Sequence, residues 1–152
     1  MINKKLFKMK TIFGTAILVF LAFSTISCDD GDKIVAHEKL PAASKAFLTA
    51  YFNGIDITNI EKDGVNYSVD LASKVEVDFN PNGEWREVDG ENGITIPTGF
   101  INPKIVDYVT ENFPDDNFNG IEKTINGYDV ELVQNGVDLI FDLEGNFLRL
   151  EP

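Results

Sequence analysis

Two runs of sequence decide the fold: Val65-Asn66-Tyr67-Ser68-Val69-Asp70-Leu71 and Val75-Glu76-Val77-Asp78-Phe79. Apolar and polar residues alternate in both with a period of two, the spacing of a strand with one face buried and the other in water. Asp63-Gly64 precedes the first run as a hairpin signal. Asn82-Gly83 turns the second into a fourth strand through Trp85-Arg86-Glu87-Val88. Upstream, Leu40, Ala43, Phe47, Ala50 and Tyr51 recur at helical spacing. Pro41 stands near the helix start, where a missing amide hydrogen costs little.

The same pattern returns further along the chain. A shift of 61 positions lays Ile60-Glu61-Lys62 on Ile121-Glu122-Lys123, Phe52 on Phe113, and Tyr67, Val69 and Leu71 on Tyr128, Val130 and Leu132. One extra residue near Gln134-Asn135-Gly136 changes the shift to 62, which lays Val77 on Leu139, Phe79 on Phe141 and Trp85 on Phe147. The expected fold is therefore α+β, a tandem duplication of a helix plus about four antiparallel strands. The repeats span 40–88 and 101–151 of a domain at 40–152, joined by the Gly-rich linker 89–100. Alternation leaves one sheet face apolar for the helices and the other for water.

These residues also carry a family likeness. Leu40-Pro41, Ile60-Glu61-Lys62-Asp63, Tyr67 to Leu71, Val75 to Phe79 and Asn82-Gly83-Glu84-Trp85 together resemble the PepSY-like, β-lactamase-inhibitor-like proteins of Bacteroidetes. The likeness covers residues 38–152, with Gly127 to Leu132 and Phe141 to Gly145 as the second copy. It implies a fold like β-lactamase inhibitory protein, with the sheets side by side and helices on one face, and related PepSY modules are implied to inhibit or chaperone proteases. It brings no catalytic residues.

The first residues read as a targeting segment. Lys4, Lys5, Lys8 and Lys10 precede an apolar run to Ile26 that is short for a bilayer span, which takes roughly 20 residues. Thr25-Ile26-Ser27-Cys28 resembles a lipobox, with Thr25 in place of the usual leucine. The expectation is a lipoprotein signal peptide at 1–27, then an acylated Cys28 and a tether through residue 39. Cys28 is the only cysteine, so it has no internal disulfide partner, and acylation would consume its thiol. Asp29-Asp30-Gly31-Asp32-Lys33 resembles the acidic stretch behind the acylated cysteine of surface-exported Bacteroidetes lipoproteins. The expected location is the cell envelope, as an outer-membrane lipoprotein facing the periplasm or the surface.

Removing residues 1–27 removes four lysines and no acid, which takes the net charge from −12 to −16. Such a charge argues against nucleic acid and favours a basic or cationic partner. His37 is the only histidine and lies in the tether, which nearly excludes a triad or a histidine-based metal site. The water-facing acids Asp70, Glu76, Asp78, Asp129, Glu131, Asp138 and Asp142 form a candidate face for an unknown protein or peptide. A solvated face that blocks edge-to-edge aggregation is the alternative. Trp85 and Phe147 occupy matching places, as contact anchors or as caps on the core.

Asp115, Asn117, Asn119 and Gly120 match the first half of a calcium-loop pattern, but position twelve is Asn126 where the bidentate glutamate belongs. No cofactor is expected apart from that calcium. No phosphate loop, dinucleotide fingerprint or nucleophile elbow occurs. The function read from the sequence is a non-enzymatic, lipid-anchored binding module. The alternatives are a hydrolase inhibitor acting through Glu91 to Phe100 and a calcium-dependent structural or adhesive protein.

Overall fold

The computed structural model describes residues 33–151. The expected signal peptide, Cys28 and the start of the tether lie outside the described residues. Nine strands and two helices follow: β1 (Lys33–Ile34), α1 (Ala42–Tyr51), β2 (Ile57–Asp63), β3 (Asn66–Leu71), β4 (Val75–Phe79) and β5 (Trp85–Gly90). Then come α2 (Pro103–Asn112), β6 (Phe118–Thr124), β7 (Gly127–Leu132), β8 (Asp138–Asp142) and β9 (Phe147–Glu151). Within the segment read as a tether, residues 33–39 are held to the fold. Lys33 and Ile34 pair with Lys62 and Glu61, and a 3-10 turn spans His37–Lys39.

All nine strands join one antiparallel sheet in chain order, β1 to β9. This corrects the expected α+β class of two helix-plus-four-strand units. The protein is mostly β, a single continuous sheet with two helices of ten residues each. The pairing of β5 with β6 is what removes the boundary. Glu87 lies opposite Glu122, Val88 opposite Ile121 and Asp89 opposite Gly120, so the ladder runs on where two units would have met. Alternation within a strand does not say which distant strand it will pair with, and this contact bridges more than thirty positions of chain.

The period-two pattern sorts the side chains as it should. Val69, Val77, Phe79, Val88, Val130, Leu139 and Phe141 are fully buried on one face. Both helices pack there: the Phe47 ring of α1 meets Phe79 edge-on at 5.7 Å, and Tyr108 of α2 meets Phe141 at 5.5 Å. Each such burial contributes roughly 1.5–3 kcal/mol against the entropy of ordering the chain.

Helix starts are seated on the turns between strands. Asn102 caps α2 by accepting from the Lys104 amide at 3.1 Å, and its own amide donates to the Glu144 carbonyl at 3.2 Å. Gly145 takes φ +81° directly beneath it, where a Cβ would sit 2.6 Å from Asn102 Nδ2. Gly83 does the same under α1, with φ +86° and Pro41 Cβ 2.7 Å from the position a Cβ would take. Both glycines are there because the backbone is left-handed and the helix start leaves no room.

Candidate functional site

The sheet face opposite the helices collects the acidic residues. Strand register lays them in two rows across the molecule. One row runs Glu61, Ser68, Asp78, Glu87, Glu122, Asp129. The other runs Asn59, Asp70, Glu76, Asp89, Gly120, Glu131. Asp138 extends the second row on β8, opposite Glu151 of β9. From β3 to β8 these rows contain no lysine or arginine. An ion pair joins Arg149 and Glu151 on the outermost strand.

Gly120 opens a gap in the second row. Around it lies a shallow depression of about 170 Å³, lined by Glu87, Asp89, Glu122, Asp129, Glu131 and Asp138. A Cβ at position 120 would stand 3.1 Å from Asp89 Oδ1, so glycine lets carboxylates from β5 and β7 face one another across β6.

Like charges directly opposite on neighbouring strands repel. Glu87 feels this most. Partial burial comes first and the Glu122, Asp78, Asp89 and Glu76 carboxylates second, and together they push its pKa up to about 7. The Asp129 carboxyl is also raised, by burial and then by Asp138, Glu151 and Glu122. Glu76 accepts a 2.7 Å hydrogen bond from Ser68, which lowers its pKa. Burial and the carboxylates of Asp78, Asp70 and Asp89 outweigh that bond, so the net shift is upward. Among the described residues no donor reaches the buried Oδ1 of Asp78.

Six of the seven acids expected on this face are there: Asp70, Glu76, Asp78, Asp129, Glu131 and Asp138. Asp142 is diverted into the turn between β8 and β9, where it accepts from the Asn146 amide at 2.7 Å and from Asn146 Nδ2 at 2.8 Å. Those bonds hold its carboxyl below the ordinary range. Sequence reasoning missed Glu87, Asp89 and Glu122, the middle of the face. The alternation Glu87-Val88-Asp89 carried the signal, but only β5–β6 pairing makes these residues central.

Trp85 lies on the other face. Its ring is half-buried against Phe100 at 5.1 Å, with Lys123 Nζ 3.7 Å from the ring centre. Burial lowers the Lys123 pKa, and Glu84 partly offsets that.

The calcium-pattern residues do not share one loop. Asp115 and Asn117 are exposed between α2 and β6. Asn119 is buried in β6, and its amide donates to the Gly90 and Ile94 carbonyls. Asp116 ties this segment to the loop after β7 by accepting from the Gln134 and Asn135 amides, each at 3.0 Å. The described residues hold no cluster of three or more metal-ligating His, Cys, Asp or Glu side chains. The segment from Glu91 to Phe100 is pinned as well, with Ile96 buried and its amide bonded to the Phe118 carbonyl at 2.9 Å.

This fold is shared with solved structures of proteins from Bacteroides. A structure from Bacteroides vulgatus, described as a "putative periplasmic protein of unknown function", is 33% identical, with 80% of this chain and 100% of that one covered at TM-score 0.72. One from Bacteroides thetaiotaomicron, described as a "putative calcium-regulated periplasmic protein", is 28% identical, with 80% and 97% covered at TM-score 0.72. A second Bacteroides vulgatus structure, from the DUF2874 family, is 25% identical, with 83% and 100% covered at TM-score 0.73. No curated protein matches the sequence.

The family described as "Putative beta-lactamase-inhibitor-like, PepSY-like" matches residues 28–77 and 65–149. The chain belongs to this PepSY-like family. It is a protein of the periplasm or cell envelope, and neither its family nor these structures are described as enzymes.

Proposed function

We propose that the protein is a non-enzymatic binding module, held at the membrane by lipid on Cys28, whose carboxylate-lined sheet face docks a basic region of a protein or peptide. The carrying observation is the pair of acidic rows from β3 to β8, uninterrupted by any cation. Self-repulsion within the rows costs the folded protein stability, and a cationic partner relieves it. Complementary charge would act mainly on association rate and specificity.

The test is affinity capture from the native cell envelope with wild type and with a variant carrying Asp78→Asn, Glu87→Gln, Glu122→Gln and Asp129→Asn. The expected result is a basic partner held by wild type, released by added salt and absent from the variant capture. Equal recovery by both baits would place the contact elsewhere.

A second reading has one specific support, the Bacteroides thetaiotaomicron neighbour described as calcium-regulated. Calcium takes about six to eight oxygen ligands. In this chain the exposed Asp115 and Asn117 between α2 and β6 are the oxygen donors left from the calcium pattern. On this reading millimolar calcium raises the melting temperature by several degrees, magnesium does so less, and a variant carrying Asp115→Asn and Asn117→Ala does not respond. A calcium-insensitive wild type removes the idea.

A further inference from the structure

The two ends of the sheet differ. The hairpin tips of β2–β3, β4–β5, β6–β7 and β8–β9 all lie at one end, because each pair runs up to its tip and back. That end carries exposed aliphatic side chains. Val65 is 62% exposed, Ile125 92% and Leu143 59%, and Pro81 is exposed in the β4–β5 turn. Gly127 pairs with Asp142, so the Ile125 and Leu143 turns sit side by side, and Tyr67 pairs with Phe79, which sets Val65 beside Pro81. At the opposite end, the connections at 72–74, 113–117 and 133–137 hold none of the exposed large apolar side chains, and the connection before β2 holds Ile55, 36% exposed.

The chain enters the fold at the apolar end. Lys33 pairs with Lys62, one residue before the β2–β3 tip. Only five residue steps separate Lys33 from Cys28, a reach of at most about 18 Å. The strands themselves are about that long, so a lipid on Cys28 keeps the tip end nearer the membrane than the far end. Just inside the tips, Lys62 lies over the Tyr67 ring at 5.5 Å and Lys123 over Trp85 at 3.7 Å, a pairing of amphipathic ring and ammonium suited to headgroup depth. Asp63, Glu84 and Glu144 are exposed at the same end and keep the contact shallow, since carboxylates stay in water.

We propose that the hairpin-tip end, marked by Val65, Ile125 and Leu143, rests on the bilayer surface and stands the sheet upright, so that its acidic face points sideways and stays open. This rests on the reading of Cys28 as lipidated. The occupant is lipid rather than protein because the tether leads there and Val65, Ile125 and Leu143, on three separate tips, all project at that end.

The experiment uses the full lipidated chain in vesicles of phosphatidylcholine with brominated acyl chains. Acylated Cys28 does not react with thiol reagents, so Val65→Cys, Ile125→Cys, Leu143→Cys and Gln134→Cys can each carry one environment-sensitive fluorophore. The expected result is several-fold stronger quenching at the three tips than at position 134. Vesicle-bound protein with all four labels in water overturns the orientation and leaves the anchor standing. Wild-type protein that fails to float with vesicles overturns both. Tip labels dark to brominated lipid yet shielded in native envelope membranes would show that a protein covers the tips, which also refutes the proposal.

Discussion

Gly90→Ala is expected to cost more than about 3 kcal/mol of stability, measured by urea unfolding. A Cβ at Gly90 would lie 2.0 Å from the Ile94 carbonyl oxygen and 2.8 Å from its carbon. These are backbone atoms, so no rotamer change relieves the clash. The Ile94 carbonyl is also held by the Asn119 amide, which bonds the Gly90 carbonyl as well. Moving the 91–94 turn outward therefore breaks the polar knot that joins β5, the segment leading to α2, and β6. Gly64→Ala is the comparison. Its φ is +56°, but nothing lies within 4 Å of the added carbon, so the cost there is about 1 kcal/mol of backbone strain. Equal effects at the two positions would mean that the 91–94 turn yields freely.

The second large effect is on the pH dependence of stability. The Glu87 pKa is raised from 4.5 to about 7, so the folded state binds a proton the unfolded chain releases. The stability Glu87 contributes is fully present below about pH 4.5 and is lost as pH rises through 7. A shift of that size corresponds to about 3 kcal/mol, which solvent screening of a half-exposed group reduces to roughly 1–2 kcal/mol. Glu76 and Asp129 are raised too and act with the same sign. Asp116 and Asp142 are lowered, so their contribution is lost as pH falls below their unfolded value of 3.8. For Asp116, burial alone would raise the pKa, but hydrogen bonds from Asn117, Gln134 and Asn135 prevail. The protein should therefore be more stable near pH 5 than near pH 8, and weaken again below pH 4. Glu87→Gln should raise stability at pH 8 by about 1–2 kcal/mol and flatten, without abolishing, the slope from pH 5 to 8. Denaturation curves at the two pH values decide it. A wild type equally stable at both would mean that Glu87 titrates as an ordinary carboxyl.

Gly90 and Glu87 draw their weight from distant contacts, whereas the strands themselves were legible because their signals are local. Val75-Glu76-Val77-Asp78-Phe79 alternates, and its odd residues are buried in the structure. Asp63-Gly64 and Asn126-Gly127 mark two hairpins, and Gly83 and Gly145 mark left-handed turns. The face of Asp70, Glu76, Asp78, Asp129 and Glu131 follows from the same alternation. The Asx-rich segment after α2 shows the converse. Asp115, Asn117 and Asn119 follow a ligand pattern in sequence, yet Asn119 turns inward to satisfy carbonyls from β5 and the turn after it.

Local elements, the apolar and acidic faces of each strand, and membership of the PepSY-like family could all be read from the chain alone. Each depends on residues at most a few positions apart, or on matched spacing. The pairing of β5 with β6 emerged only in three dimensions. With it came the continuity of the sheet, the central place of Glu87, Asp89 and Glu122, and the sharing of one end by the aliphatic tips and the entering chain. Backbone hydrogen bonds between strands are nearly blind to side-chain identity. The choice of a distant partner strand is therefore made by the packing of the whole core, and no short stretch of sequence carries it.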